Sequence, residues 1–235
     1  GVQVGSSVER MEYENSFSTG GTTFGGGDGR GWLFGNYAQA RFSLPRSWLV
    51  ELGVRADAYD PAVGNTVFEP SPRVALKSFY RNGDLAAKVA AGRYTQFVHS
   101  LRDEELPLGL DIWIISDENV PHTVSDQVQF GLEGWHDIDW FWSIEGYYRS
   151  FNGVVTFNTA DNPNDPTDDI LGGKGTSWGA DLMIRKETGE VNGWIAISFL
   201  KAQRGFPDLL SPLTPAPEVM YPPIFDRRVD LDFVM

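Results

Sequence analysis

Ten segments of alternating apolar and polar residues run through this chain, and the connections between them alternate between short and long. The short ones are Leu44-Pro45-Arg46-Ser47, Arg81-Asn82-Gly83-Asp84, Asp137-Ile138-Asp139 and Glu187-Thr188-Gly189-Glu190. The long ones cover residues 15–30, 60–71, 98–124, 159–175 and 204–225. Alternation with period two places successive side chains on opposite faces of a sheet. In residues 47–59, Trp48, Val50, Leu52, Val54, Ala56 and Ala58 oppose Glu51, Gly53, Arg55 and Asp57. Residues 126–136 set Val128, Phe130 and Leu132 against Gln127, Gln129, Gly131 and Glu133. Residues 140–150 set Trp140, Trp142, Ile144 and Tyr148 against Ser143, Glu145 and Arg149, with Tyr147 in the second set. Residues 177–185 set Trp178, Ala180, Leu182 and Ile184 against Ser177, Asp181 and Arg185, and residues 227–235 repeat the pattern. Residues 2–13, 32–44, 73–80, 85–97 and 191–202 alternate less cleanly and complete the series.

A sheet in water has no reason to gather its tight turns at one end. A barrel crossing the bacterial outer membrane does, with short periplasmic turns and longer external loops. Most of the segments also reach the roughly 9–11 residues that a tilted strand needs to cross a bilayer. The expected fold class is therefore all-β: an antiparallel transmembrane β-barrel, present in part as about ten strands, with outer-membrane lipid around it. Trp32, Trp135, Trp140 and Trp142 lie where an interfacial aromatic belt belongs. Glu51, Arg55, Asp57, Glu133, Glu145, Arg149, Asp181 and Arg185 are the expected lumen-facing residues. A soluble all-β ligand-binding module is the rival that alternation alone would favour. A passive porin is the rival within the membrane class.

Composition narrows the remaining classes. The net charge of −13 argues against a nucleic-acid partner, whose phosphates demand a basic face. With no cysteine, neither a disulfide framework nor a thiolate metal site is open to this chain. The histidines at 99, 122 and 136 are far apart in sequence, and no catalytic constellation emerges. The chain reads as a non-enzyme with no cofactor and no metal site. The glycine-rich run Gly25-Gly26-Gly27-Asp28-Gly29 lacks the lysine and the helix of a phosphate loop and reads as external loop. Residues 161–169 are rich in aspartate but lack the glycine and terminal glutamate of a calcium loop, and read as a solvated loop tip. The loop at 101–124 mixes acids with Ile112, Trp113, Ile114 and Ile115, which must pack inward or meet a ligand. Tyr94, Gln96, Asp111 and Trp113 are the candidate substrate contacts at the mouth. The acidic loops disfavour a strongly anionic ligand unless a metal accompanies it.

Five segments carry a more specific signal. Leu52-Gly53-Val54-Arg55-Ala56-Asp57, Pro70-Ser71-Pro72-Arg73-Val74-Ala75-Leu76 and Gly92-Arg93-Tyr94-Thr95-Gln96-Phe97 occur in this order. Gly173-Lys174-Gly175-Thr176-Ser177-Trp178-Gly179-Ala180-Asp181-Leu182 and Phe225-Asp226-Arg227-Arg228 follow, with Val229 after them. They resemble recurrent strand entries and exits of the TonB-dependent outer-membrane receptors, although that family usually has histidine where Val229 stands. The resemblance implies a barrel of about 22 strands around a plug domain. It implies uptake of a scarce small-molecule nutrient of the siderophore, cobalamin or saccharide class, driven by the periplasmic coupling protein TonB. On that reading residues 1–235 are part of one barrel domain. The plug, the TonB-engaging segment and the terminal strands lie outside the chain, whose last segment stops in mid-strand at Met235.

Overall fold

The computed structural model describes residues 1–19, 22–45, 47–101, 112–137, 139–158, 167, 169–207, 219–224 and 226–235. Twelve strands follow one another: β1 (Val2–Thr19), β2 (Thr22–Leu44), β3 (Trp48–Pro61), β4 (Val67–Tyr80), β5 (Leu85–Gln96), β6 (Val98–Leu101), β7 (Ile112–Ile115), β8 (Thr123–His136), β9 (Trp140–Phe157), β10 (Ile170–Lys186), β11 (Gly193–Gly205) and β12 (Val229–Val234). Ten of them form one antiparallel meander in the order β1-β2-β3-β4-β5-β8-β9-β10-β11-β12. The sheet is an open arc with β1 and β12 at its edges. The remaining two, β6 and β7, pair with each other alone.

The expected ten-strand series is thus the main sheet, but several boundaries move. β1 and β2 stay paired as far as Thr19 opposite Thr22, so most of the expected loop at 15–30, including the glycine-rich run, is hairpin. The β3–β4 connection shrinks to residues 62–66, because β4 begins at Val67 and runs through Pro70 and Pro72. Proline cannot donate to a ladder, and both prolines fall in the stretch of β4 paired with β3 alone, since β5 joins only at Arg73 opposite Gly92. Residues 170–175, expected in a loop, are the start of β10. The short turns sit where expected. At residues 81–84 a single 3-10 turn reverses the chain, with Asn82 and Gly83 at φ 61° and 107°, a backbone region that asparagine and glycine enter most readily.

Register carries each face intact from strand to strand. Leu52, Val74, Ala91, Val128, Tyr148 and Trp178 lie directly opposite one another in sequence across β3, β4, β5, β8, β9 and β10. Leu132, Ile144, Leu182, Ile197 and Leu231 form a parallel row on β8 to β12. These side chains are large, apolar and open to the surroundings, as Phe130 (61%), Val8 (62%) and Leu231 (64%) show. In water such a face would be an aggregation surface. In hydrocarbon it is the required one, since backbone groups are satisfied by the ladder and side chains by lipid. Trp32, Trp140 and Trp142 belong to this outward face. Trp135 does not: it has the parity of Glu133 and packs on Phe141 at 5.2 Å between ring centroids, on the opposite side of the sheet. Above the apolar band the outward positions turn polar at Arg10, Arg30, Asp60, Arg93 and Asp126. Arg93 donates to Asp126 through two bonds of 2.8 Å.

A charge placed inside the outward band will distinguish lipid from water as its environment. Leu182→Arg is expected to destabilise the folded barrel by about 2–4 kcal/mol in lipid vesicles. The same substitution at an exposed position of a soluble sheet stays within about 0.5 kcal/mol. Denaturant titration of vesicle-folded protein measures the difference.

Candidate functional site at the external mouth

The face opposite the apolar band carries the charges and the folded-in loop. All eight expected lumen residues share it: Glu51, Arg55 and Asp57 on β3, Glu133 on β8, Glu145 and Arg149 on β9, Asp181 and Arg185 on β10. Sequence reading identified these but not their partners. Arg55 holds Asp57 at 2.7 Å, and Arg41 on β2 reaches Glu51 at 2.5 Å. Lys77 and Lys88 contact Glu133 at 2.6 and 3.6 Å, and Lys88 also closes on Glu145. The result is a continuous line of alternating charge across β4, β8, β5 and β9. Asp181 stands directly opposite Glu145, a like-charge placement that favours a cation nearby. Arg149 lies over the Tyr147 ring at 4.6 Å; Arg185 lies over Phe141 at 5.1 Å and pairs with Glu187 at 2.5 Å. Glycines make room for the long side chains. A Cβ on Gly35 would sit 2.3 Å from the Arg55 guanidinium, and one on Gly31 2.7 Å from the Tyr59 hydroxyl.

At the external end, β6 and β7 fold over this face rather than away from it. Leu101, Ile114 and Val120 are buried together, with Tyr13, Ile112, Val155, Phe157 and Ile170 packed against them. Two polar ties fix the hairpin to the wall, and a third bond extends the hairpin's own ladder. Asn15 donates to the Trp113 carbonyl at 2.9 Å, the Tyr59 hydroxyl donates to the Ser116 carbonyl at 2.7 Å, and the Ser116 amide donates to the Phe97 carbonyl at 2.8 Å. Tyr59 stacks on Phe97 at 4.6 Å, and Phe97 leans on His122 at 5.5 Å, whose Nε2 lies 3.1 Å from Glu69. Asp117 accepts from the amides of Asn119 and Val120 at 2.8 and 2.9 Å and closes the turn that returns the chain to β8. Gly153 admits this turn, for a Cβ there would lie 2.1 Å from the His122 carbonyl.

The apolar run at 112–115 therefore divides. Ile114 and Ile115 are buried, whereas Trp113 is 56% exposed at the mouth. Tyr94 and Gln96 lie on the lumen face of β5, Tyr94 beneath the Arg73 guanidinium at 4.3 Å and Gln96 bonded to the Val98 carbonyl. Asp111 lies outside the described residues, as do most of the acidic stretch 161–169 and Asp103. His99 places Nε2 3.0 Å from the Ser116 hydroxyl. His99 and Ser116 are 5% and 4% exposed, so this pair holds the hairpin and offers no nucleophile to solvent. Tyr13 and Lys88 escaped sequence reading because each lies in a segment whose own alternation is mixed, and Tyr59 because its partners Phe97 and Ser116 lie in other segments.

A wide antiparallel sheet with an apolar outer face, a charged inner face and an external loop folded inward defines the outer-membrane β-barrel class. The family model described as TonB dependent receptor-like, β-barrel matches residues 3–209, and the chain belongs to that family. Among solved structures it is similar to the chain titled Copper transporter OprC, with a TM-score of 0.57 and 13% sequence identity over 88% of this chain and 40% of that one. The likeness is one of fold, and this chain spans 40% of the length of that relative. No curated protein matches it in sequence.

Burial pushes the His99 imidazole down to about 4 from its ordinary value of 6.5. As pH falls below about 6.5 the unfolded hairpin takes up a proton that the folded one refuses, so stability is full above 6.5 and declines toward pH 4. At pH 5 the hairpin should have lost about 2 kcal/mol. Amide exchange over 98–101 and 112–116, corrected for intrinsic rates, will show protection falling between pH 7 and pH 5. His99→Asn flattens that dependence.

Proposed function

We propose that this chain forms part of the barrel of an outer-membrane receptor that captures a scarce, bulky nutrient at its external mouth. The cargo then passes inward beside a plug domain, and TonB supplies the energy from the periplasmic side. Family membership supports the mode of uptake. The observation that carries the capture step is the β6–β7 hairpin, pinned across the lumen face with Trp113 left open to solvent. A loop clamped in this way presents a rigid aromatic surface, which binds cargo at low entropic cost. Trp113, Tyr94 and Gln96 are the proposed contacts, with Asp111 beside them in sequence. The lumen charges Glu51, Arg55, Asp57, Glu133, Glu145, Arg149, Asp181 and Arg185 face water or the plug, the line from Lys77 to Glu145 giving a plug surface alternating donors and acceptors.

The copper of the structural relative is not carried over. The proposed receptor's cargo is of the siderophore, cobalamin or saccharide class that the family resemblance implies.

Energy coupling separates this reading from a passive channel. In cells expressing the full receptor, uptake of its cargo from a growth-limiting supply is expected to cease when TonB is deleted; uptake that persists unchanged belongs to a passive channel. Trp113→Ala should weaken cargo binding about tenfold while leaving barrel assembly intact. Titration of whole cells against labelled cargo, with surface expression measured in parallel, reads both quantities.

A further inference from the structure

One register line across the lumen face has a composition that neither the charge ladder nor the mouth hairpin uses. Gln39, Gly53, Arg73, Gly92 and Gln127 lie directly opposite one another on β2, β3, β4, β5 and β8. An arginine is thus flanked on both sides by glycine and then by glutamine, although the five residues span almost ninety positions of sequence. Two hollows adjoin Arg73, with the glycines in their floors. One, of about 190 Å³, is bounded by Gln39, Glu51, Tyr94, Gln127 and Gln129; the other, of about 240 Å³, by Tyr37, Gln39 and Arg55. A Cβ on Gly92 would crowd the first, lying 3.1 Å from Arg73 Cγ and 3.2 Å from Tyr94 Cε2.

Charge in these hollows is not balanced as it is elsewhere on the wall. Glu51 is taken by Arg41 and Arg55 by Asp57. Arg73 lies over the Tyr94 ring at 4.3 Å and, among the described residues, makes no ion pair or hydrogen bond. Contact with the ring holds the guanidinium close to the wall, and Arg73 is exposed, so its N–H donors are open to solvent. An open guanidinium fork on a ring, with amide side chains two strand spacings away on each side, is suited to take an oxyanion.

We propose that Arg73, positioned by Tyr94 and flanked by Gln39 and Gln127, is an oxyanion-binding station on the lumen wall, and that the cargo carries a carboxylate or phosphate group recognised there. The acidity of the external loops pointed the other way. Register, not composition, reveals a cation set apart from them. The proposal rests on the receptor reading above and names the chemistry of its cargo.

Citrate and inorganic phosphate serve as probes. The full receptor is purified in detergent, and binding is followed by isothermal titration at low ionic strength. Saturable binding of either probe is expected, weakened about tenfold in Arg73→Gln and only partly recovered in Arg73→Lys, which restores the charge but not the guanidinium fork. Arg93→Gln, on the outward face, should bind as the unsubstituted receptor does. Absence of saturable binding in the full receptor overturns the proposal, because a carboxylate of the plug would then be the station's occupant. Equal binding in Arg73→Gln, or equal loss in Arg93→Gln, overturns it as well. Surface expression and heat-modifiable migration of each variant report barrel assembly, and TonB-dependence is read separately, so failure of the receptor reading is distinguishable from failure of this one.

Discussion

Backbone pairing without water is the constraint on which the structure depends. In hydrocarbon an unpaired N–H or C=O costs several kcal/mol, so strands must be long, antiparallel and continuous with their neighbours. The ten-strand meander meets that demand through nearly unbroken ladders, with one register shift at Phe17/Ser18 and another at Gly173/Lys174, both toward the external end. Once pairing fixes register, the faces follow. A shift of one residue would turn Phe130 and Leu132 inward and expose Glu133 to lipid.

The inner face shows what this rigidity permits. Charged side chains are placed within reach of partners on other strands, as Lys88 is between Glu133 and Glu145. Where such pairs form their burial is mostly partial, so those charges do not bear the full cost of an isolated ion in a low-dielectric wall. The mouth hairpin uses a different device. It is held by a small apolar cluster and by bonds from Asn15 and Tyr59 to its backbone, which leaves the Trp113 side chain uncommitted.

Sequence alone was informative where a strand is buried in membrane on one side and wet on the other. Residues 47–59 and 177–185 disclosed their faces because charge and bulk alternate without interruption there. It misled where strands leave the membrane. Residues 22–31 are glycine-rich and read as loop, yet Tyr13 covers Gly29 from the neighbouring strand, a cross-strand contact invisible to local composition. Trp135 was assigned to the outer belt on its nearness to a strand end, whereas parity with Glu133 puts it inside. The β6–β7 hairpin is too short for its alternation to register, and Arg73 gains its meaning only from Gly53 and Gly92 on other strands.

The polar boundary of the outward face also reports how the strands lean. It begins at Arg10 on β1, in line with Asp60 on β3, and on β11 at Lys201, in line through five intervening strands with Leu52 on β3. That drift is eight residues, roughly 26 Å of strand, across eight inter-strand spacings of roughly 38 Å in all. If the boundary is level in the membrane, the strands incline by about 35°, within the range outer-membrane barrels adopt. At that inclination a hydrocarbon core of about 30 Å takes about 11 residues to traverse. The 14 residues of β3 are then just sufficient, while the 23 of β2 stand well clear of the surface. Along this arc the barrel has a low wall beside a tall one, and a large molecule arriving from outside meets the tall side first.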